Sequence, residues 1–587
     1  MGGVMVMVEK FHAGRHPVTP VSLVGVFLGF CTAGSLALAQ SVPDAGALLR
    51  ETQRQPTQPD APRPVRPPVT APVDETAQRQ DQALRFQVNA IVVQGATLIS
   101  DDDLQNIVRG WLNRDIGIAD LRAAAQAITD EYLRRGWYAR ALLPAQAIED
   151  GRVRIDVLEG RLGAIKVDDG GQKTRMDAGL VVDTLTARQK PGEPLQLLSL
   201  ERAIGVLGDT PGVAVKTVLA PGLAHGDTDV LVQIKDKPLL TSSFSLDNHG
   251  TRSTDAKRAS ANISLDNPGG RGDQVNLGTI LSEGSQYLRL AYGRAVGNDG
   301  LRVGAQASAL RYHLLNEFSA LDARGTATTV GLTATYPIVR SERRNVIAGA
   351  ALDARDYRNV ANGAETSRKG STVLTTNLTG DLSGLLGEGG FTLWALNLGL
   401  GRLDLSRNAV NQAADRAGPD TEGRFAKLGW NLAHLQPLSD KTSLWVAATG
   451  QFASKNLDSS EKFSLGGANG VRAYPALEAN GDAGWLTNLE LRQQITPELQ
   501  LFGFYDYGRI RLNQNPNSST ALANGLNSYA LKGHGLGLNW IKPGQYVLRI
   551  AVARRDGSNP AADSRTGHDT DGSKQIYRLW VGGTVYF

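Results

Sequence analysis

Two short stretches hold the side chains best placed to do chemistry. Phe463–Pro475 reads FSLGGANGVRAYP, with three glycines and then an arginine between a β-branched residue and an alanine–tyrosine pair; Gly503–Arg509 reads GFYDYGR. A guanidinium and a carboxylate can form a bidentate, charge-assisted contact, so Arg472 and Asp506 suit a tether rather than a catalytic step. Gly466, Gly467 and Gly470 are expected to let the first stretch fold back tightly, because glycine visits φ > 0 without steric cost. In the second, Phe504, Asp506 and Gly508 fall on one face of an alternating segment.

The chain is poorly supplied for catalysis. Its one cysteine, Cys31, lies in the leader described below, and its eight histidines are scattered without ligand spacing. Disulfides and a Cys/His metal site are therefore not expected. There is no HExxH, Walker loop or nucleophile elbow, so no cofactor and no enzyme activity are expected. Lys+Arg 62 against Asp+Glu 58 gives no polycationic case for nucleic acid. Gly533-x-Gly535-x-Gly537 lies within an alternating strand, where small lumen-facing residues explain it better than a phosphate loop. Arg271-Gly272-Asp273 reads as a turn.

The elements that must position Arg472 and Asp506 come in blocks. Residues 1–39 read as an export signal: Lys10, Arg15 and His16 begin it, Val21 to Phe30 is apolar, and Ala37-Leu38-Ala39 is a small-residue cleavage site. A membrane anchor competes, since the apolar run approaches the ~20 residues of a spanning helix. Residues 41–55 predict a short helix capped by Ser41, with Pro43 in its first turn and Ala45, Leu48, Leu49 and Thr52 on one face. In the proline-rich stretch 56–85 the run from Pro56 to Pro72 stays extended, reaching roughly 50 Å over its ~17 residues at ~3.1 Å per residue. It is a spacer, or a leash long enough to pass a small helix through a pore.

From Phe86 a β-α-α-β-β pattern runs to 161 and repeats over 162–237. Leu104, Ile107, Val108 and Trp111 mark one helical face of the first unit, and Leu121, Ala124, Ala125, Ile128 and Tyr132 a second. In the second unit Leu200, Ala203, Ile204 and Leu207 do the same. Such tandem modules expose strand edges that suit peptide capture by strand addition, or they serve as spacers.

After Pro238 helical periodicity stops and long alternating segments begin, many about 9 to 13 residues, the length that crosses a membrane at a tilt. About sixteen are marked, including 344–354, 371–381 and 499–510, an even number as a closed bacterial barrel requires. Connections after even-numbered strands are short and those after odd ones mostly longer, which places the modules in the periplasm. A carboxylate facing lipid is costly, so Asp506 should face the lumen, and the connection 454–484 should fold inward to bring Arg472 to it. Phe587, closing the last strand, reads as an assembly signal.

These features resemble the outer-membrane transporters of two-partner secretion, relatives of the barrel-assembly insertases. Val471-Arg472-Ala473-Tyr474 resembles the family's VRGY loop motif, and Phe504-Tyr505-Asp506-Tyr507-Gly508 its inward F-x-D-x-G strand motif. Gly136-Trp137-Tyr138, Pro144-Ala145-Gln146 and Glu159-Gly160 resemble a first polypeptide-transport-associated (POTRA) module. Gly192-Glu193-Pro194-Leu195, Leu200-Glu201-Arg202-Ala203 and Pro211-Gly212-Val213 resemble a second, and Asp247-Asn248-His249-Gly250 the first-strand signature. Ala473 replaces the commoner glycine, so the backbone there should avoid φ > 0.

The resemblance implies a fold: a transmembrane β-barrel of about 16 antiparallel strands after two α/β POTRA modules, a plug helix and a Pro-rich linker. It implies an outer-membrane pore that exports, and activates in some members, a large exoprotein such as an adhesin, haemolysin or growth-inhibition toxin. The POTRA modules would bind that exoprotein's N-terminal secretion domain. Outer-membrane lipid or lipopolysaccharide, the barrel-assembly machinery and periplasmic chaperones would be further partners. A barrel-assembly insertase is the alternative, against which the count of two modules argues.

Overall fold

The computed structural model describes residues 42–54 and 85–587, except 169, 172, 173, 225, 388, 518–524 and 564. The expected leader and nearly all of the proline-rich stretch lie outside the described residues. The first element is a helix, α1 (Ala45–Thr52). It begins later than the sequence suggests. Its cap is Asp44, whose carboxylate accepts the Ala47 N–H at 2.9 Å, while Pro43 precedes the helix and Ser41 is outside the described residues.

The first module comprises β1 (Arg85–Val88), β2 (Ala90–Gln94), α2 (Asp101–Val108), β3 (Arg114–Gly117), α3 (Ile118–Arg134), β4 (Ala139–Leu142) and β5 (Arg152–Glu159). Ser100 caps α2, and three aspartates fill its first turn, where the helix dipole favours negative charge. The apolar faces of α2 and α3 bury Leu104, Val108, Leu121, Ile128 and Tyr132 against Ile91, Val153 and Ile155. The first strand of the β-α-α-β-β pattern is broken in two: Asn89 gives its N–H to Gly151 O at 2.7 Å, so β1 turns away from the sheet β2-β5-β4 and pairs with β3.

The second module has β6 (Arg161–Asp168), α4 (Ala178–Thr186), α5 (Leu197–Gly208), β7 (Val213–Pro221) and β8 (Asp227–Asp236), with sheet order β6-β8-β7. The two modules are laced together through motif residues: Tyr138 N–H donates to Leu195 O at 2.9 Å, Leu195 N–H to Gly160 O at 2.8 Å, and Leu197 N–H to Gly136 O at 2.8 Å. Gly160 is required by close approach, since a Cβ there would lie 2.6 Å from the Tyr138 ring.

The second module is in turn clamped to the barrel. Arg202 on α5 is buried and its Nε meets Asp299 Oδ1 at 3.0 Å, while Arg188 Nε reaches the same oxygen at 2.8 Å. Tyr336 donates to Asp299 Oδ2 at 2.6 Å. Burial raises the Asp299 pKa, but these donors outweigh it and hold the carboxyl well below the usual range. Arg340 pairs with Asp209 at 2.7 Å beside this cluster.

Sixteen antiparallel strands close the barrel, from Leu240–Asp247 to Tyr577–Tyr586. Outward leucines alternate with inward polar and small residues, as a lipid-facing wall demands. First and last strands pair from Asp247↔Gly582 to Ser243↔Tyr586. Asn248 clips this seam, donating to Leu579 O and accepting from Val581 N, both at 2.8 Å. Strands seven and eight, Arg344–Ala361 and Ala364–Ser383, are much longer than expected. Their outer halves carry charge on both faces and read as loop. They are closed by Asn362-Gly363, both with positive φ (49° and 78°), the pairing that suits a tight hairpin turn. A short helix, α6 (Ala409–Ala417), lies in the connection between strands nine and ten.

Candidate functional site

The connection between strand eleven (Thr442–Ala453) and strand twelve (Ala483–Gln494) turns inward and occupies the lumen. Its anchor is Arg472, only 3% exposed. Arg472 Nε and Nη2 meet Asp506 Oδ2 and Oδ1 at 2.9 and 2.7 Å, and its backbone N–H adds a third bond at 3.0 Å. Asp506 is fully buried on strand thirteen (Leu499–Arg511), facing the lumen. Nη1 reaches Glu490 Oε1 at 2.6 Å, and Glu490 also takes Arg492 and Arg549. The guanidinium lies 3.5 Å from the Phe504 ring centroid, a close cation–π contact. Trp580 on the last strand donates its Nε1–H to Arg472 O at 2.7 Å.

Each neighbouring motif residue has a place. Val471 and Ala473 are fully buried, and Tyr474 lies under the Arg555 guanidinium at 4.5 Å. Gly508 leaves room for Leu465, whose Cδ2 would be 2.8 Å from a Cβ. On strand fourteen (Ser528–Lys542), Gly533, Gly535 and Gly537 seat Ala473, Phe504 and Phe502, whose carbons would lie 2.3–2.5 Å from Cβ atoms there. The loop glycines act differently from expectation. Only Gly467 has positive φ; Gly466 and Gly470 are needed because a Cβ would strike Pro475 O at 2.1 Å and Leu465 O at 2.0 Å. Ala473 is not among the residues with positive φ, whereas Leu477 and Ala479 are, at 63° and 58°.

Helix α1 lies in the lumen beside this loop. Ala45, Leu48 and Leu49 are buried against Tyr287, Leu310, Tyr312 and Tyr357 of the wall, Phe318 of the connection between strands five and six, and Leu477 of the loop. Its polar contacts reach both the wall and the loop, with more of them to the loop. Ala45 N–H donates to Asn359 Oδ1 at 2.9 Å on the wall. Arg54 Nη1 reaches Gly466 O at 2.9 Å, Arg50 Nη2 reaches Asn480 Oδ1 at 2.7 Å, and Arg50 also bonds Lys462 O. Lys369 on strand eight binds Asp44 at 2.7 Å and, simultaneously, Asp458 of the loop at 2.6 Å.

Sequence reasoning named Arg472 and Asp506 but missed Glu490, Trp580 and Lys369. Glu490 carried a signal: it alternates inward between Leu489 and Leu491, which are 42% and 54% exposed. Nothing local marked Lys369. Phe587 stands apart from the lumen, 78% exposed, its N–H bonded to Ser242 O at 2.9 Å.

A closed barrel with two attached modules and an occupied lumen defines a POTRA-barrel transporter of the outer membrane. The family model of haemolysin secretion/activation protein ShlB/FhaC/HecB matches residues 226–539, and that of the ShlB-type POTRA domain residues 86–160. The chain belongs to the ShlB/FhaC/HecB family. It is 27% identical over 559 residues to the heme/hemopexin transporter protein HuxB of Haemophilus influenzae strain 86-028NP, covering 92% of this chain and 96% of that one. It is 24% identical over 430 residues to the outer membrane transporter CdiB of Dickeya dadantii, covering 71% and 74%. Its fold matches that of CdiB from Escherichia coli with a TM-score of 0.67 at 20% identity, over 93% and 96% of the two chains. The protein is an outer-membrane transporter of two-partner secretion, with its POTRA modules in the periplasm and a secreted exoprotein as its partner.

Proposed function

We propose that the lumen is a gated path for one large exoprotein of the adhesin, haemolysin or growth-inhibition kind, and that no catalysis is involved. The POTRA modules capture the exoprotein's N-terminal secretion domain as an extended chain, by strand addition at a sheet edge. Helix α1 is the plug that leaves, and the Arg472–Asp506 contact is the tether that keeps the inward loop on the wall. The observation that carries this reading is the shared lysine: Lys369 holds Asp44 of the helix and Asp458 of the loop. When the helix departs, the lysine keeps a partner. The barrel-assembly machinery and periplasmic chaperones deliver the barrel, with Phe587 in the assembly signal, and phosphorylated outer-leaflet lipid surrounds it.

The test is co-expression of the exoprotein encoded beside this gene with wild type and with Arg472→Ala. Exoprotein in the medium with wild type, and a sharp fall with an equally abundant variant, is the expected result. A wild type that exports nothing, while its loss disturbs the assembly of other barrels, would replace this reading with that of an insertase.

A further inference from the structure

The lipid-facing wall holds charges that transport does not explain. On strand nine (Phe391–Asp404), Leu396, Leu398 and Leu400 point outward at 45%, 42% and 48% exposure. Leu428 and Leu432 do the same on strand ten (Gly423–Pro437). The alternation continues past this apolar band toward the exterior. Leu403 and Phe425 are buried on the lumen side, so Arg402 and Arg424 project outward, and both are exposed. They are direct cross-strand partners. Side chains so placed start about 5 Å apart at Cβ, and like charges there repel. On strand eight Arg368 also projects outward, since Lys369 beside it is buried inside. It lies about 13 Å farther out than Thr372, the partner of Arg402, at ~3.3 Å per residue.

Neighbouring carboxylates offset this excess only in part. Asp356 pairs with Arg407 and Glu365 with Arg358. Asp404, on the same strand face, accepts the Ser406 N–H at 3.0 Å and attracts Arg402 and Arg407 through space without forming an ion pair to Arg402, so one carboxylate stands against Arg402 and Arg424 together. Among the described residues, no ion pair or hydrogen bond occupies Arg368, Arg402 or Arg424.

We propose that Arg402 and Arg424, with Arg368 above them, bind the phosphates of a phosphorylated glycolipid in the outer leaflet. The planar guanidinium matches phosphate in a bidentate fashion, and a phosphate between two opposed arginines turns their repulsion into attraction. The source is lipid because the leucines directly below must be covered by acyl chains, so an anion at this height is carried on a lipid headgroup. Two cationic points separated along the strands suit a headgroup with phosphates at both ends of a sugar unit. The inference rests on the outer-membrane reading and adds a lipid site to it.

The test uses the full-length protein purified in detergent, with lipid retention read by native mass spectrometry and protection read by thermal unfolding. Purified lipid A, the same lipid stripped of its phosphates, and inorganic phosphate are compared on wild type and on R402Q/R424Q. Lipid A should be retained by wild type about tenfold better than its dephosphorylated form, and the double variant should lose that preference. Equal retention of the two lipids by wild type, which needs no variant to fold, overturns the proposal. Equal protection by inorganic phosphate overturns the lipid assignment in favour of a general anion site. Export is measured in the same cells: a wild type that exports but shows no phosphate preference loses the lipid site and leaves the transport reading standing.

Discussion

Loop 454–482 and helix α1 share one lumen but are held in opposite ways. The loop carries its own cation to the wall: Arg472 meets Asp506 and Glu490, two buried carboxylates that have no other way to balance within that cluster except Arg492 and Arg549 on Glu490. Withdrawing Arg472 would leave Asp506 buried without a cation, a situation that costs several kcal/mol per ion. For the helix the ion pair to the wall runs the other way, since Lys369 belongs to the wall and holds Asp44 together with Asp458, while Arg50 and Arg54 reach only neutral acceptors of the loop. Its departure exposes apolar residues and breaks hydrogen bonds, yet leaves Lys369 paired. One lumen occupant is thus held by a buried cation of its own, and the other by a wall lysine that it shares.

The largest effect that would break this comparison is expected at Arg472. Arg472→Ala should weaken loop anchoring by about 3–5 kcal/mol and sharply lower export at equal barrel abundance. Exchange of the charges, R472D with D506R, should recover only part, because Glu490 would then face a carboxylate; no recovery at normal abundance would count against the tether. Asp44→Asn comes next. Asparagine keeps the helix cap but loses the ion pair, at about 1.5–3 kcal/mol. Single-channel recordings should show open events at least tenfold more often, and unchanged conductance would mean that the helix is not held by this pair.

A smaller effect is expected from Trp580→Phe, which removes one donor to Arg472 O, about 1 kcal/mol. Export should fall only slightly, sharpening the assignment of the tether to the charges. The mildest test separates the lumen from the periplasmic clamp. The Asp299 pKa is depressed in the folded protein, so its stabilisation is fully present above the ordinary aspartate value and lost as pH falls below about 4 toward the depressed value. Limited proteolysis of the modules should be unchanged from pH 5 to 8 and faster below pH 4. Asp299→Asn should remove that dependence.

Much of the architecture was legible because alternation is a local property. A strand with lipid on one side and lumen on the other writes its period into each few residues, and most barrel strands begin and end close to the expected positions. The signal failed where the environment became water on both sides. Strands seven and eight run on past the membrane through Arg355–Ala361 and Ala364–Ser371 without apolar alternation. Only Asn362-Gly363 marked the hairpin that joins them. Helix α6 was missed in the same external region. The split of the first strand at Asn89 was invisible because the two halves are contiguous and no glycine or proline stands between them.

By itself the sequence determined the order of the blocks, the alternation that makes a barrel wall, and the chemical fitness of Arg472 for Asp506. Tertiary structure alone decided that Glu490 and Trp580 join that pair, Glu490 from the adjacent strand and Trp580 from the last one. It alone decided why Gly466 and Gly470 are glycines, a matter of carbonyl oxygens brought within 2.1 Å of where a side chain would start. Lys369 is the clearest case. A lysine on an outward-running strand has no local reason to be 4% exposed. It becomes a shared seat only because the closed wall brings a loop and a separate helix to the same charge.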